Sequence, residues 1–353
     1  MKFAVDLAAT NGGEKQTGLG VYAGQIFSAL QRKAPQHEWI GITQVTTDLS
    51  TPKRVWWDQV RLAHAAQKIQ PDVLFVPAFS SPLRYHGKKV MTVHDLNGIL
   101  LPKIFSHVSR WYWGNLLPRS AKACDAILVP SQVVAEDVMK HLHIPREKIH
   151  VTGEGIHPQI HLLEDAQVLV QGLKDMKLDK PFILSVGTLE PRKNYPRLIE
   201  AFARAKRGEH ELVIVGKQGW DMENIQRMIQ KFHLTDKVRL LDYVTTEQLT
   251  VLYNSCTAFV LVSQSEGFGL PVVEAMACGA PVIISDRGSL PEIAGEAGIR
   301  VNPNDIIDMT DKLNSLFSDE LFRIKLQKAS LAQSRVYSWD RAAQLTLEVL
   351  EHV

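Results

Sequence analysis

Glu266 and Glu274 stand eight positions apart, with Gly267, Gly269 and Pro271 between them. A strand-like apolar run over 257–262 leads into this stretch, and Gly279 follows it. Glycines free the backbone to approach a ligand closely. Pro271 suits a first helical position, and Gly279 suits the end of a short helix. The pattern predicts a loop and helix start whose N–H groups converge on one point, together with the positive end of the helix dipole. That is an anion site, best suited to a phosphate. The residues placed at it are Glu266, Gly267, Phe268, Gly269, Leu270 and Glu274. A carboxylate beside a bound phosphate has neutral hydroxyls as its natural partners, because both of its oxygens accept. Two such carboxylates suit a diphosphate with a ribose at one end and a sugar at the other. For the glycines alone, an ordinary strand–loop–helix unit is the competing reading.

Three further groups could do chemistry. Arg192 and Lys193 follow the strand-like run 181–187. Cations at the carboxyl end of a strand can neutralise a diphosphate, although charge alone does not separate them from two solvated loop residues. His94 and Asp95 close the run 89–93. Strand carboxyl ends are where open α/β sheets hold ligands, while a lone histidine reads equally as a structural one. Gly18, Gly20 and Gly24 imitate a dinucleotide fingerprint. The polar loop 10–20 before that helix is too long for the tight turn an NAD site needs.

The run from Ser265 to Gly279, with its Glu-x7-Glu frame, resembles glycosyltransferase family 4 (group 1), whose members are retaining enzymes of the GT-B fold. The Val-His-Asp strand end at 93–95 matches that family. The string Gly-Thr-Leu-Glu-Pro-Arg-Lys-Asn at 187–194 resembles its mannosyltransferase-rich branch. Matches run from Val5 to about Trp339. The resemblance implies an α/β protein of two Rossmann-like domains with a cleft between them. The expected division is an acceptor-binding domain over 1–165 and a donor-binding domain over 166–337, with a final helix, 338–353, crossing back onto the first.

The same resemblance supplies roles. Arg192 and Lys193 stabilise charge on the leaving diphosphate. Glu266 binds hydroxyls of the transferred sugar, Glu274 the ribose, and His94 the sugar. Gly18 and Gly20 flank donor phosphates or acceptor, and Gly216, Tyr243 and Val244 lie at the nucleobase. His94, Arg192, Lys193 and Glu266 form the expected catalytic set. The expected reaction moves a hexose with retention, first of all mannose from GDP-mannose, to a saccharide or lipid-linked saccharide. UDP-glucose or a dTDP-sugar is the alternative donor. A nucleotide-sugar epimerase and a catalytically silent sugar-binding subunit are the more distant alternatives. No Asp-x-Asp pair is present, and no metal or cofactor is expected, the nucleotide sugar being a substrate. The chain departs from the family at Thr188, where many members carry Arg, and at Glu154-Gly155, where Asn-Gly or a similar turn is usual.

The elements that must position these residues follow from the rest of the sequence. At 353 residues, one or two domains are expected. Strand-like runs alternate with helical periodicity in two series, one before 157 and one after 180, which predicts parallel sheets covered by helices on both faces. The composition, 45% apolar and 22% charged with a net charge of +2, is that of an ordinary globular chain without a nucleic-acid footprint. Cys124, Cys256 and Cys278 have no Cys-x-x-Cys spacing and read as reduced, buried thiols. The N-terminus reads as a strand rather than a signal peptide, and no apolar run approaches the ~18 residues of a membrane span. The expected location is the cytoplasm. A segment rich in aromatics and bases, 100–123, with Phe105, Arg110, Trp111, Trp113 and Arg119, offers peripheral contact with the inner face of a membrane or packs as an ordinary helix pair.

Overall fold

The computed structural model describes residues 1–11, 18–44, 50–78, 80–102 and 107–353. Residues 12–17 of the expected Gly-rich loop over 10–20, and Phe105, lie outside the described residues. The chain divides into two compact units, one of residues 1–155 with 337–353, the other of residues 156–336.

The first unit is built on a six-stranded sheet. Its strands are β1 (Lys2–Asp6), β2 (Glu38–Ile42), β3 (Val73–Val76), β4 (Lys89–Thr92), β5 (Ala126–Val129) and β6 (Ile149–Val151), in the order β2-β1-β3-β4-β5-β6, all parallel. β3 and β5 are short apolar runs buried along their whole length, as strands covered on both faces must be. One face packs on the helix Gly18–Lys33 and on the C-terminal helix Trp339–His352, whose Trp339, Ala343 and Leu350 join Tyr22, Ile26 and Leu30 in one core. Ser338 caps that last helix by accepting from the Arg341 N–H. A capped amphipathic helix of this kind is stabilised chiefly by what it buries.

The second unit repeats the plan. Its strands are β7 (Phe182–Val186), β8 (Glu211–Val215), β9 (Val238–Leu241), β10 (Ala258–Leu261), β11 (Val282–Ser285) and β12 (Gly298–Val301), in the order β12-β11-β10-β7-β8-β9, again all parallel. β9 and β12 were not among the expected strands. Both lie at a sheet edge and are only partly buried, so their apolar signal is diluted. The units divide at 155/156 and 336/337, whereas the sequence suggested 165/166 and 337/338. Residues 156–165 are tied to the helix Thr246–Ser255 of the second unit: Thr250 donates to the Gln159 carbonyl, Asn254 donates to the His161 carbonyl, and the Leu163 N–H donates to Asn254.

Trp56 and Trp57 lie inside a helical run over 51–69 that widens to a π turn at Trp57–Arg61. Asp6, the last residue of β1, is buried. It accepts from Arg54 at 2.8 Å, from the Trp57 indole at 3.1 Å and from the Ala8 N–H at 3.0 Å. Arg54 also meets Asp58 at 2.8 Å, and Asp58 accepts from the Ser80 hydroxyl at 2.7 Å. One guanidinium thus serves two buried carboxylates. Burial, with Asp6 nearby and against the pull of Arg54, pushes the Asp58 carboxyl up to about 7.

Candidate active site

The second unit gathers its charged residues where β7 and β10 end. β7 leaves through Gly187 into a short turn, Pro191–Lys193, and Asn194 then adopts a left-handed conformation before the helix Tyr195–Arg204. Asn194 fixes this turn by donating to the carbonyls of Val262 and Pro303. The Gln264 N–H donates to the Arg192 carbonyl at 2.8 Å, which joins the exit loops of β7 and β10.

Glu266 lies at that junction and is buried, with 9% of its surface exposed. Its Oε1 accepts from Lys193 Nζ at 2.6 Å and from the Ser263 hydroxyl at 2.6 Å. Its Oε2 meets Arg192 Nη1 at 2.5 Å. Arg192 also donates to the Ser265 carbonyl at 2.7 Å and pairs with Glu190 at 2.7 Å. Burial opposes ionisation of Glu266, but Arg192 and Lys193 outweigh it and hold the carboxyl down to about 2. Neutral hydroxyls were the partners expected from the sequence. In the structure two cations and the Ser263 hydroxyl hold this carboxylate, because the loop junction brings Arg192 and Lys193 to it. Burial lowers the pKa of Lys193, against the pull of Glu266.

The loop after Glu266 is held from below. Gly269 has φ +99 and precedes the helix Leu270–Ala277, which carries Pro271 in its first turn. A β-carbon at Gly269 would come 2.5 Å from Leu290. Ser289 donates its hydroxyl to the carbonyls of Glu266 and Phe268, both at 3.0 Å, and its N–H to the Glu266 carbonyl. Gly288, at φ +60, passes so close that a β-carbon would come 2.7 Å from the Glu266 carbonyl oxygen. Glu274, one turn into the helix and half-buried, accepts from the Tyr253 hydroxyl at 3.0 Å. Ser263, Ser289 and Tyr253 were not among the expected site residues. Each acts on a partner by position in space, and a lone Ser or Tyr in sequence carries no such signal.

The residues expected at a nucleobase lie on two adjoining turns. Gly216 follows β8 at φ +156, and a β-carbon there would come 2.1 Å from the Gly187 carbonyl oxygen. The close approach that requires glycine is therefore to the backbone of the β7 turn. The Gln218 amide donates to Asp242 at 3.2 Å, joining this turn to the one after β9. Tyr243 there is 64% exposed and Val244 is half-buried.

In the first unit, His94 follows β4. Its Nε2 lies 2.7 Å from the Pro77 carbonyl oxygen and its Nδ1 lies 3.2 Å from Glu154 Oε1. The ring meets the Tyr22 ring edge-on at 4.5 Å. Burial works against charging this imidazole, but Glu154, with the Pro77 carbonyl and Asp95, outweighs it and raises the His94 pKa. Gly18 and Gly20 lie in the first turn of the helix Gly18–Lys33, not in the loop before it; Gly20 is buried. In the sequence Glu154 stands out only as a departure from the family turn. Its pairing with a residue 60 positions earlier is a tertiary fact.

Residues 174–333 match the family model described as glycosyl transferases group 1, and residues 25–160 match that of glycosyltransferase family 4. The chain belongs to this glycosyltransferase family. The serotype-specific mannosyltransferase WbdA of Escherichia coli is 31% identical to it over 303 residues, covering 80% of this chain and 37% of that protein. The family member described here thus spans little more than a third of that relative's length. The O-antigen chain mannosyltransferase B of Escherichia coli is 28% identical over 290 residues, covering 81% of this chain and 76% of that one. The solved sucrose-phosphate synthase of Thermosynechococcus elongatus superposes with a TM-score of 0.81 at 19% identity, covering 100% of this chain and 98% of that one. The α/β architecture, two parallel six-stranded sheets, is that of the GT-B glycosyltransferases.

Proposed function

We propose that this family member is a retaining glycosyltransferase that moves a hexose, mannose from GDP-mannose, to a saccharide or lipid-linked saccharide. The observation that carries the proposal is the cluster of Arg192 and the buried Lys193 on the buried Glu266, in the loop that leads into the helix Leu270–Ala277. Two cations preorganised on one buried carboxylate suit the charge that builds on a leaving diphosphate, and such preorganised electrostatics are usually the largest catalytic contribution. In this reading the cations do the work of charge neutralisation, and transfer proceeds without added divalent metal. Glu266 orients the cations and meets the transferred sugar. Glu274, steadied by Tyr253, accepts from the ribose, and the second unit holds the donor. The choice of mannose is supported by the relatives WbdA and mannosyltransferase B, both named mannosyltransferases. The first unit takes the acceptor in this reading, and His94 serves the transferred sugar.

The experiment is a thermal-shift series with GDP, UDP, dTDP and ADP and their sugars, in EDTA, on the wild type and Glu274→Ala. A ligand at about 100 times its dissociation constant adds about 2.7 kcal/mol. Selective stabilisation by GDP and GDP-mannose, weakened in the variant, is the expected result. Stabilisation by UDP-glucose or a dTDP-sugar replaces the donor. Turnover of a nucleotide sugar without an acceptor points to an epimerase, and no response to any nucleotide in folded protein points to a silent subunit.

A lipid-linked acceptor would bring the first unit to a membrane surface. Trp56, Val60, Val108 and Trp111 are all about half exposed there, and Arg61 lies 5.0 Å over the Trp56 ring. Exposed aromatics interleaved with cations suit the interface of an anionic bilayer. No helix among the described residues is long and apolar enough to cross one.

A further inference from the structure

The turn that carries Glu154 is built with unusual constraint. The Thr152 N–H continues the β6 ladder to the Val129 carbonyl at 3.0 Å, and Gly153 then turns at φ +70. Gly155 lies under Trp339 of the C-terminal helix; a β-carbon there would come 2.2 Å from the Trp339 backbone nitrogen. Trp339 is buried and meets the Tyr22 ring at 5.7 Å, and Tyr22 meets His94. The last helix therefore clamps the turn whose carboxylate reaches His94.

At His94 two acceptors face the two ring nitrogens, the Pro77 carbonyl oxygen at 2.7 Å and Glu154 Oε1 at 3.2 Å. A neutral imidazole has one donor and one acceptor nitrogen. With Glu154 ionised, it would set a lone pair against an oxygen at one of these contacts. Only the doubly protonated ring donates to both. Among the described residues, the other titratable or charged groups facing the ring are Asp95, its neighbour in the chain, and the Tyr22 hydroxyl-bearing ring from the helix Gly18–Lys33. Neither supplies a cation to oppose the imidazolium.

We infer that Glu154 is a positioning residue for the proposed transfer: it holds His94 as an imidazolium whose two N–H groups are committed to Glu154 and to the Pro77 carbonyl. His94 then serves the sugar as an oriented cation and not as a proton acceptor. The inference rests on the reading that His94 serves the transferred sugar. The pairing itself is measurable without any substrate.

The test uses Glu154→Gln. A glutamine amide can donate to Nδ1 and leave a neutral ring that donates from Nε2 to Pro77, so geometry survives while the charge is lost. Ring nitrogens of the full chain, labelled at histidine and assigned with His94→Gln, are followed by NMR against pH. The expected result is a doubly protonated His94 at pH 7 in the wild type. Its titration midpoint falls by about one pH unit or more in Glu154→Gln, with Glu154→Asp between the two. The alkaline limb of the pH–kcat profile moves down in step. A neutral His94 in the wild type at pH 7 overturns the inference, as does an unmoved midpoint in folded Glu154→Gln. If the midpoint moves but neither GDP nor GDP-mannose binds, the pair stands and the proposed function fails. If they bind and the midpoint is unmoved, the reverse holds.

Discussion

Lys193 Nζ lies 2.6 Å from Glu266 Oε1, and both side chains are buried. The two are 73 positions apart in sequence. Their contact, completed by Arg192 on the other carboxylate oxygen, ties the loop after β7 to the loop after β10. Glu266 is held down to about 2 against the 4.5 of a free glutamate. A carboxyl whose folded-state pKa is depressed stabilises the protein above its unfolded value and loses that contribution as pH falls through the folded one. The window is therefore about pH 4.5 down to 2, and the contribution at neutral pH is roughly 3 kcal/mol. Glu266→Gln is expected to flatten this part of the stability–pH curve. Urea midpoints of both proteins measured from pH 6 to pH 2 check it, and parallel curves would refute it.

Glu274→Ala is expected to weaken binding of the nucleotide by about 10–150-fold, since losing a charged hydrogen-bond partner costs roughly 1.5–3 kcal/mol. Tyr253→Phe removes only the hydroxyl that steadies Glu274. It acts on the nucleotide only through Glu274 and is expected to weaken binding by about 2–12-fold, the equivalent of roughly 0.5–1.5 kcal/mol. Isothermal titration with GDP measures both, and an effect of Tyr253→Phe as large as that of Glu274→Ala would contradict the ordering.

Gly288→Ala places a β-carbon 2.7 Å from the Glu266 carbonyl oxygen at a φ of +60. Both terms are unfavourable: the left-handed conformation and the clash with backbone together cost about 2–4 kcal/mol. A lowered melting temperature together with a loss of nucleotide affinity is expected. Loss of stability with full affinity would separate the Gly288–Ser289 turn from the Glu266 loop.

In the first unit, Arg54 is the cation shared by Asp6 and Asp58. Arg54→Ala leaves two buried carboxylates without it and is expected to destabilise by about 3–5 kcal/mol. Asp58 gives a pH signature of opposite sign to Glu266. Its folded pKa is raised from 3.8 to about 7, so its contribution is full below pH 3.8 and is lost as pH rises through about 7. Asp58→Asn is expected to remove that decline, which denaturation midpoints at pH 5 and pH 8 would show.

Trp56 and Trp111, each 52% exposed, are the residues on which the proposed membrane contact would depend. Flotation with anionic vesicles is expected to carry the wild type and to lose the double variant Trp56→Ala/Trp111→Ala. A wild type that stays with the soluble fraction refutes peripheral contact at this face.

The sequence by itself determined the local chemistry. Gly269, Pro271 and Gly279 set the bounds of the helix Leu270–Ala277 within a residue or two, because the φ angles they permit are properties of single residues. Apolar runs at 73–76, 126–129 and 258–261 became buried parallel strands, because a strand covered on both faces needs an unbroken apolar stretch. The types at 192, 193, 266 and 274 led only to the expectation of a site for a phosphate and hydroxyls.

Only the tertiary structure decided who meets whom. Glu266 bonds to Arg192 and Lys193, Glu274 to Tyr253, His94 to Glu154, and Arg54 to both Asp6 and Asp58. Most of these partners are tens of positions apart, brought together by strand order: β7 lies beside β10 in one sheet, and β4, β5 and β6 are neighbours in the other. Strand order is set by how whole apolar faces are buried together. No period of 2 or 3.6 along the chain records it.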